Sequence, residues 1–319
     1  RRAAVELLGA LHQRLGPPLR ALLGDLGAAA AAVEAEFEKV GFDPSLAKQA
    51  TRAVKAAGGG VGGGGGEAAA DGGLPRTDLQ TLLDKECMTK LSCTEGNKSW
   101  QGRKAAMEDI QAACTRSGHY LEANKFVVEV LRALKPRCAD SQSNLKPLAA
   151  ATIADVLRAV GPEASPRYLR LVAEPLLALV GDNKKLISQA ALRSLTDVVF
   201  VDGAPHPSIA EALMPAMAEA FGRKVNRAEL LTWALGPLAA VQSSDKAGEA
   251  AAALVPPLLD AMKDKDVTAR GKAEEACTLL AARGLVDRGQ TERGARDFPP
   301  AVKRALAPIL DRIHAAAAA

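Results

Sequence analysis

The chain has 319 residues, 48% hydrophobic, 24% charged and only 3% aromatic, with a formal net charge of +4. That is ample material for a folded core, but a core of Leu, Ala and Val, which suits close helix–helix packing. There is no run of about 18 apolar residues and no secretory pattern at the start, so membrane insertion and secretion are not expected. A charge this mild selects neither nucleic acid nor a membrane as partner, and local charge matters more than the total.

Residues 1–40 read as a helical fragment. Val5, Leu8, Leu11 and Leu15 fall on one face of a helix ended by Gly16-Pro17-Pro18. A second stretch from Leu19 to Val40 carries Phe37 with Glu34, Glu36 and Glu38. Because RRAAVELLG opens in mid-helix, the fragment is expected to be the last helices of a preceding array, with an apolar face short of its normal partner. Residues 41–76 read as a flexible linker around the tract GGGVGGGGG, whose chain entropy no burial offsets. Gly58, Gly60 and Gly63 match G-x-G-x-x-G, but no strand precedes and no helix follows, so no dinucleotide site is expected.

From Thr77 to His314 the apolar pattern is helical throughout and comes in pairs, with almost no period-2 alternation. Thr77 or Asp78 can cap a first helix carrying Leu79, Leu82, Leu83 and Leu91. The stripes that follow include Ala106, Ile110 and Ala113, then Val127, Val130, Leu131 and Leu134, then Leu148, Ile153, Val156 and Leu157. Later come Leu171, Leu176 and Leu179, then Leu213, Met217 and Phe221, then Leu254, Leu258 and Val267. Pro299-Pro300 opens a last helix with Val302, Leu306, Ile309 and Ile313, and residues 315–319 are left as an Ala tail.

Between the paired stripes lie five short polar loops spaced by about 41 residues: GNKSW, ADSQSN, GDNKK, GRKVN and KDKD. This period with two helices per unit is the signature of HEAT-type repeats, an all-α solenoid. In such a stack every within-repeat loop falls on one edge. The loops carry Lys98 and Trp100 with Arg103, then Ser141, Gln142 and Ser143, then Asn183, Lys184 and Lys185, then Arg223 and Lys224, then Lys265 with Arg270. Aligned, the cations make a basic strip whose natural counterpart is an acidic surface. Trp100 stands in the polar run NKSWQGRK and is expected to be exposed, as an interface anchor, whereas Trp233 in WALGPL is expected in the core.

Catalytic motifs do not appear: no H-E-x-x-H, no G-x-S-x-G and no P-loop, and His12, His119, His206 and His314 are far apart. Cys87, Cys93, Cys114, Cys138 and Cys277 form no C-x-x-C pair and read as reduced, mostly buried thiols. No enzyme activity, metal or cofactor is expected.

The run Asn97-Lys98-Ser99-Trp100-x-x-Arg103-Lys104, with Asp140-Ser141 and Gly181-Asp182-Asn183-Lys184-Lys185, resembles the TOG domains of the microtubule-polymerase family. RRAAVELLG, AEFEKV and LPRTD look like the junction between that family's third and fourth arrays. The resemblance implies a paddle of six HEAT repeats whose loops contact αβ-tubulin, free or in the microtubule lattice. It implies Trp100 as first-loop anchor, Lys184 and Lys185 as third-loop cations, and Lys265 and Arg270 in the fifth loop. The family's second loop often reads D-S-N-K, so Gln142-Ser143 lacks a lysine there. The function so implied is a non-catalytic tubulin-binding module in the cytoplasm, at microtubule ends and spindle poles, working with neighbouring TOG arrays of its chain. The competing expectation is a HEAT scaffold for another acidic protein.

Overall fold

The computed structural model describes residues 2–16, 19, 20, 23, 26–42, 76–96 and 98–318, in two units, Arg1–Pro75 and Arg76–Ala319. The glycine tract expected as a linker lies outside the described residues.

In the first unit, α1 (Arg2–Leu15) packs on α2 (Ala30–Val40), which follows a 3-10 turn at Gly27–Ala29. Leu19 and Arg20 are helical as expected, but Leu23 and Leu26 are not, so the stretch from Leu19 to Val40 is not one continuous helix. Its small core joins Leu19, Val33 and Phe37, with Val5, Leu8, Leu23 and Leu26 against them. His12 stacks on Phe37, ring centroids 4.2 Å apart. Leu7 and Leu11 remain 62% and 38% exposed, so part of the apolar stripe has no cover within this unit.

In the second unit Asp78 is the cap, its Oδ1 accepting the Gln80 N–H at 2.9 Å. The helix it starts, α3 (Leu79–Leu82), stops at once, because Leu83 is extended, and α4 (Cys87–Ser92) begins anew. Leu79 and Leu91 are still fully buried, though not on the one helix their spacing predicts. Thr77 pairs its backbone with Tyr120 O and the Glu122 N–H, both at 2.9 Å. Arg76 donates to Leu121 O and Val160 O at 3.1 and 2.9 Å. Its guanidinium would stand 3.0 Å from a Cβ at residue 161, whose φ is +86°, so glycine is required there.

Five more elements of the same kind follow α4 and its partner α5 (Ser99–Arg116). They are α6 (Lys125–Leu134, prolonged by a 3-10 turn to Ala139) with α7 (Leu145–Ala159), α8 (Ser165–Val180) with α9 (Lys185–Val199), α10 (Pro207–Gly222) with α11 (Arg227–Ala240), α12 (Asp245–Ala261) with α13 (Val267–Ala282), and α14 (Arg288–Gly294) with α15 (Pro300–Ala318). The first helices of the pairs stack into one layer and the second helices into another. Between the layers runs one continuous core from Leu79 to Ile313. Each helix is amphipathic, and stacking is what buries its stripe. The stripes on α5, α6 and α10 are buried as their spacing predicts, while Leu148, Leu171 and Trp233 sit partly buried at the margin.

The second layer is interrupted between α9 and α11, which meet at few points. A hairpin intervenes: β1 (Phe200–Val201) pairs with β2 (Ala204–Pro205) through a turn with Asp202 and Gly203 at φ +51° and +82°. Both positive φ values suit a two-residue hairpin turn. The Phe200 ring lies against Gly236, where a Cβ would meet it at 3.0 Å. Trp233 Nε1 spans the gap to Thr196 Oγ1 at 2.9 Å. Helix α14 is absent from the sequence expectation, although its capping box, Asp287 with Gln290, is written in D-R-G-Q. Helix α15 continues to Ala318 through residues expected as a tail.

Candidate partner-binding edge

The five loops do lie together, and polar ties, one buried and the others partly so, carry the chain from each to the next. Arg103 of α5 makes a two-pronged ion pair with Asp140 of the second loop, Nε–Oδ2 2.8 Å and Nη2–Oδ1 3.0 Å, 37 residues apart. Lys146 of α7 reaches Asp182 of the third loop at 3.0 Å across 36 residues. Arg227 of α11 reaches Asp264 of the fifth at 3.0 Å across 37. Between the third and fourth pairs the tie is neutral. There Ser188 holds the place of the cation, and Asn226, at φ +54°, donates to Ser188 Oγ, Val180 O and Asp182 O at 3.1, 2.9 and 3.0 Å. Lys184 Nζ adds a surface tie to Ser143 Oγ at 2.8 Å.

This arrangement corrects part of the expected site. Arg103 is 4% exposed and its remaining donors go to Cys93 O and Ser99 Oγ, so it builds the edge from inside and does not face a partner. Arg270 is half-buried and braces the fifth loop through Asp264 O and Lys265 O at 2.9 and 3.1 Å. Arg223 is half-exposed and paired with Glu219 at 2.8 Å. Trp100 is half-buried against the core, not exposed, because it is the second residue of α5 and its ring leans inward. It lines a concavity of about 470 Å³ with Gln101, Lys104, Ala105, Glu108 and Asn144. Lys98, Ser141, Gln142, Asn183, Lys184, Lys185, Lys224 and Lys265 are exposed as expected. Ser143 is no gap in the row, since Lys184 already occupies it. A lysine at that position would meet the like charge of Lys184.

The loop aspartates are all engaged within the chain. Asp140 is buried and Asp182 and Asp264 half-buried in the ties, while Asp266, exposed, caps α13 by accepting from Thr268 and Ala269 N–H at 2.7 and 3.3 Å. The five loops hold seven cations and four aspartates, and the cations Lys98, Lys185, Lys224 and Lys265 have no partner among the described residues. The loop charges are sorted by partner: the aspartates are engaged within the chain, and these four lysines face outward.

Sequence patterns also miss an apolar component. Leu186, Val225 and Val267 are 76%, 44% and 71% exposed, and all three stand at the loop edge. Val267 follows the helical spacing of a buried stripe but is the first residue of α13, where the helix end turns it to solvent. Three large aliphatics on one rim of a monomer mark an interaction surface.

Burial alone would raise the Asp140 carboxyl. The Arg103 guanidinium and the Gln142 N–H bond to it, and with the charges of Arg103 and Arg137 they hold it below its ordinary value. Asp182 is lowered by the Lys184 N–H and by Lys146 against the opposing effect of burial. Asp260, raised by burial, is lowered overall by Lys263 and Arg227. Carboxyls depressed in the fold stabilise it fully above their unfolded value, near pH 4, and lose that contribution as pH falls through the folded values. The melting temperature is therefore expected to hold from neutral pH to about 5 and to drop steeply below about 4. A melting temperature flat down to pH 3 would show that the ties contribute nothing. The thiols take no part, since burial pushes Cys87 to about 11 and Cys114, Cys138 and Cys277 to about 12.

No protein-family profile matches the chain. It is 30% identical over 328 aligned residues to Protein MOR1 of Arabidopsis thaliana, an alignment covering 98% of this chain and 15% of MOR1. The chain thus spans a small part of that relative's length. Among solved structures, one from work on microtubule plus-end tracking by XMAP215, CLIP-170 and EB1 superposes with a TM-score of 0.50 at 16% identity, covering 75% of this chain and 94% of that one. Another, from work on tubulin recruitment by microtubule polymerases with TOG domain arrays, gives 0.50 at 15% identity over 97% of this chain and 66% of the other. The chain is thus similar in sequence, along nearly its whole length, to a stretch of MOR1, and its helical pairs have the fold of the TOG domain array structure.

Proposed function

We propose that this chain is a tubulin-binding module, and that it holds αβ-tubulin, free or in the microtubule lattice, on its loop edge. The observation that carries the reading is the sorting of charge there: four cations unpaired among the described residues and three aliphatics face outward from loops whose aspartates are engaged within the chain. Such an edge fits an acidic surface with apolar patches, and its opposite charge speeds encounter. Trp100 contributes the rim of its concavity, and Lys98, Lys184, Lys185, Lys224 and Lys265 the strip. The role is binding without catalysis, in the cytoplasm at microtubule ends or spindle poles. Residues 1–40 would be the closing helices of a preceding TOG array, and 41–76 the link that lets two arrays act on one microtubule end.

Size-exclusion of the chain with purified tubulin tests this. Co-elution that is lost with the loop variants supports the reading, and absence of a complex at low salt refutes it. Reversing both Lys184 and Lys185 to Glu is expected to weaken the complex more than either change alone, by about tenfold, mainly through a slower on-rate. Raising salt should weaken the parent in the same direction, because exposed charges act over about 8 Å at physiological ionic strength. Equal affinity of parent and double variant at two salt concentrations would take the strip out of the interface.

A further inference from the structure

Away from the loop edge, helices α6 and α8 enclose a second crevice, of about 510 Å³, near their N-terminal ends. Its lining is Ala123, Asn124, Val128, Tyr168 and Leu171 with three cations, Lys125, Arg132 and Arg167. No carboxylate lines it. Lys125, Val128 and Arg132 stand at i, i+3 and i+7 of α6, one helical face. Lys125 and Arg132 are exposed and have no partner among the described residues. Arg167 is held in place: its guanidinium lies over the Tyr168 ring at 4.5 Å and donates to Ala123 O at 2.9 Å, while Tyr168 OH donates to Asn124 O at 3.2 Å. None of these contacts neutralises it. The N-terminal ends of two helices add positive potential on the same side.

Three like charges around one apolar floor repel each other and concentrate a positive field in the crevice. A charge set of this kind is usually balanced within the fold. Elsewhere in this unit Arg103, Arg227 and Lys146 all have their carboxylates. We propose that the α6–α8 crevice binds an acidic peptide segment of a protein partner, its carboxylates meeting Lys125, Arg132 and Arg167 and an aliphatic side chain resting on Val128 and Leu171. The floor favours a peptide over the other polyanions. Its one aromatic, Tyr168, is 1% exposed and offers no face on which a nucleic-acid base could stack. Insertion into a membrane surface needs large exposed apolar residues, and those of this unit, Leu186, Val225 and Val267, are at the loop edge. The site is independent of the tubulin reading, since it shares no residue with the loops.

The test uses the whole chain and a fluorescein-labelled peptide of Glu-Glu-Leu repeats, read by fluorescence anisotropy. Saturable binding is expected, and a peptide with Gln in place of Glu should not bind. Lys125→Glu with Arg132→Glu should weaken binding by about tenfold. Both side chains are exposed and unpaired, so the thermal melt of this variant should match the parent. Lys184→Glu with Lys185→Glu should leave peptide binding unchanged. The proposal is overturned if no saturable binding occurs at low salt, if the α6 variant binds as well as the parent, or if both variants weaken binding equally. Displacement of the peptide by polyuridylate at lower concentration than by unlabelled peptide would likewise overturn it, in favour of a nucleic-acid site.

Discussion

Replacing Asp140 by Ala is expected to destabilise the fold by about 3–5 kcal/mol, the usual effect of removing one partner from a buried ion pair. Arg103 is 4% exposed and Arg137 8%, and both direct guanidinium nitrogens at this one carboxylate. Without it, two buried cations face each other with no counter-charge. The Gln142 N–H also loses its acceptor, so the second loop loosens along with the α5–α7 contact. Urea unfolding should show a much lower midpoint, with little change in slope, for the transition of the half that holds α5 to α7. The companion variant, Arg103→Met with Asp140→Leu, removes both charges and should recover most of the loss, because a buried pair is often replaceable by apolar residues of similar volume. An unfolding free energy within about 0.5 kcal/mol of the parent for Asp140→Ala would mean the tie contributes nothing beyond a surface pair.

The second large effect is on binding. Leu186→Asp and Val267→Asp are each expected to weaken the tubulin complex by about 30-fold, the effect of losing an interface anchor of about 2 kcal/mol. Both side chains are more than two-thirds exposed, so the thermal melt should barely move. Binding measured by titration with the melt as control separates contact from stability. Retained affinity in both variants would confine recognition to the cations and Trp100.

The solenoid was plain in the sequence because its cause is periodic. Stripes such as Val127, Val130, Leu131 and Leu134 repeat with the loops, and only stacked helix pairs bury them. The edge was half legible. The spacing of Asp140, Asp182 and Asp264 marks the loops, but not that the aspartates point inward to residues 36 or 37 positions earlier. Arg103 therefore looked like a surface cation, whereas its partner lies one repeat further along. Val267 looked like a core residue because periodicity reports a helix face and cannot report a helix end. Trp100 misled in the opposite direction, since polar neighbours in the chain do not prevent a ring from leaning on the core. The crevice between α6 and α8 was invisible because its cations come from helices about 40 residues apart.

The neutral Ser188–Asn226 tie has a consequence for how the array melts. In a stack of repeats, cooperativity depends on the coupling of each unit to the next. Here, among the described residues, the junction between the third and fourth pairs lacks the Arg or Lys to Asp loop tie of the others and a broad meeting of second helices, and rests on the α8–α10 contact, the Asn226 hydrogen bonds and the Trp233–Thr196 bond. Unfolding should therefore break into two blocks at mid-array, each all-or-none within itself, and native-state hydrogen exchange should give two plateaus of protection divided near the hairpin. A partner that grips the third and fourth loops together would fuse those blocks into one, so that the array gains cooperativity only while it is occupied.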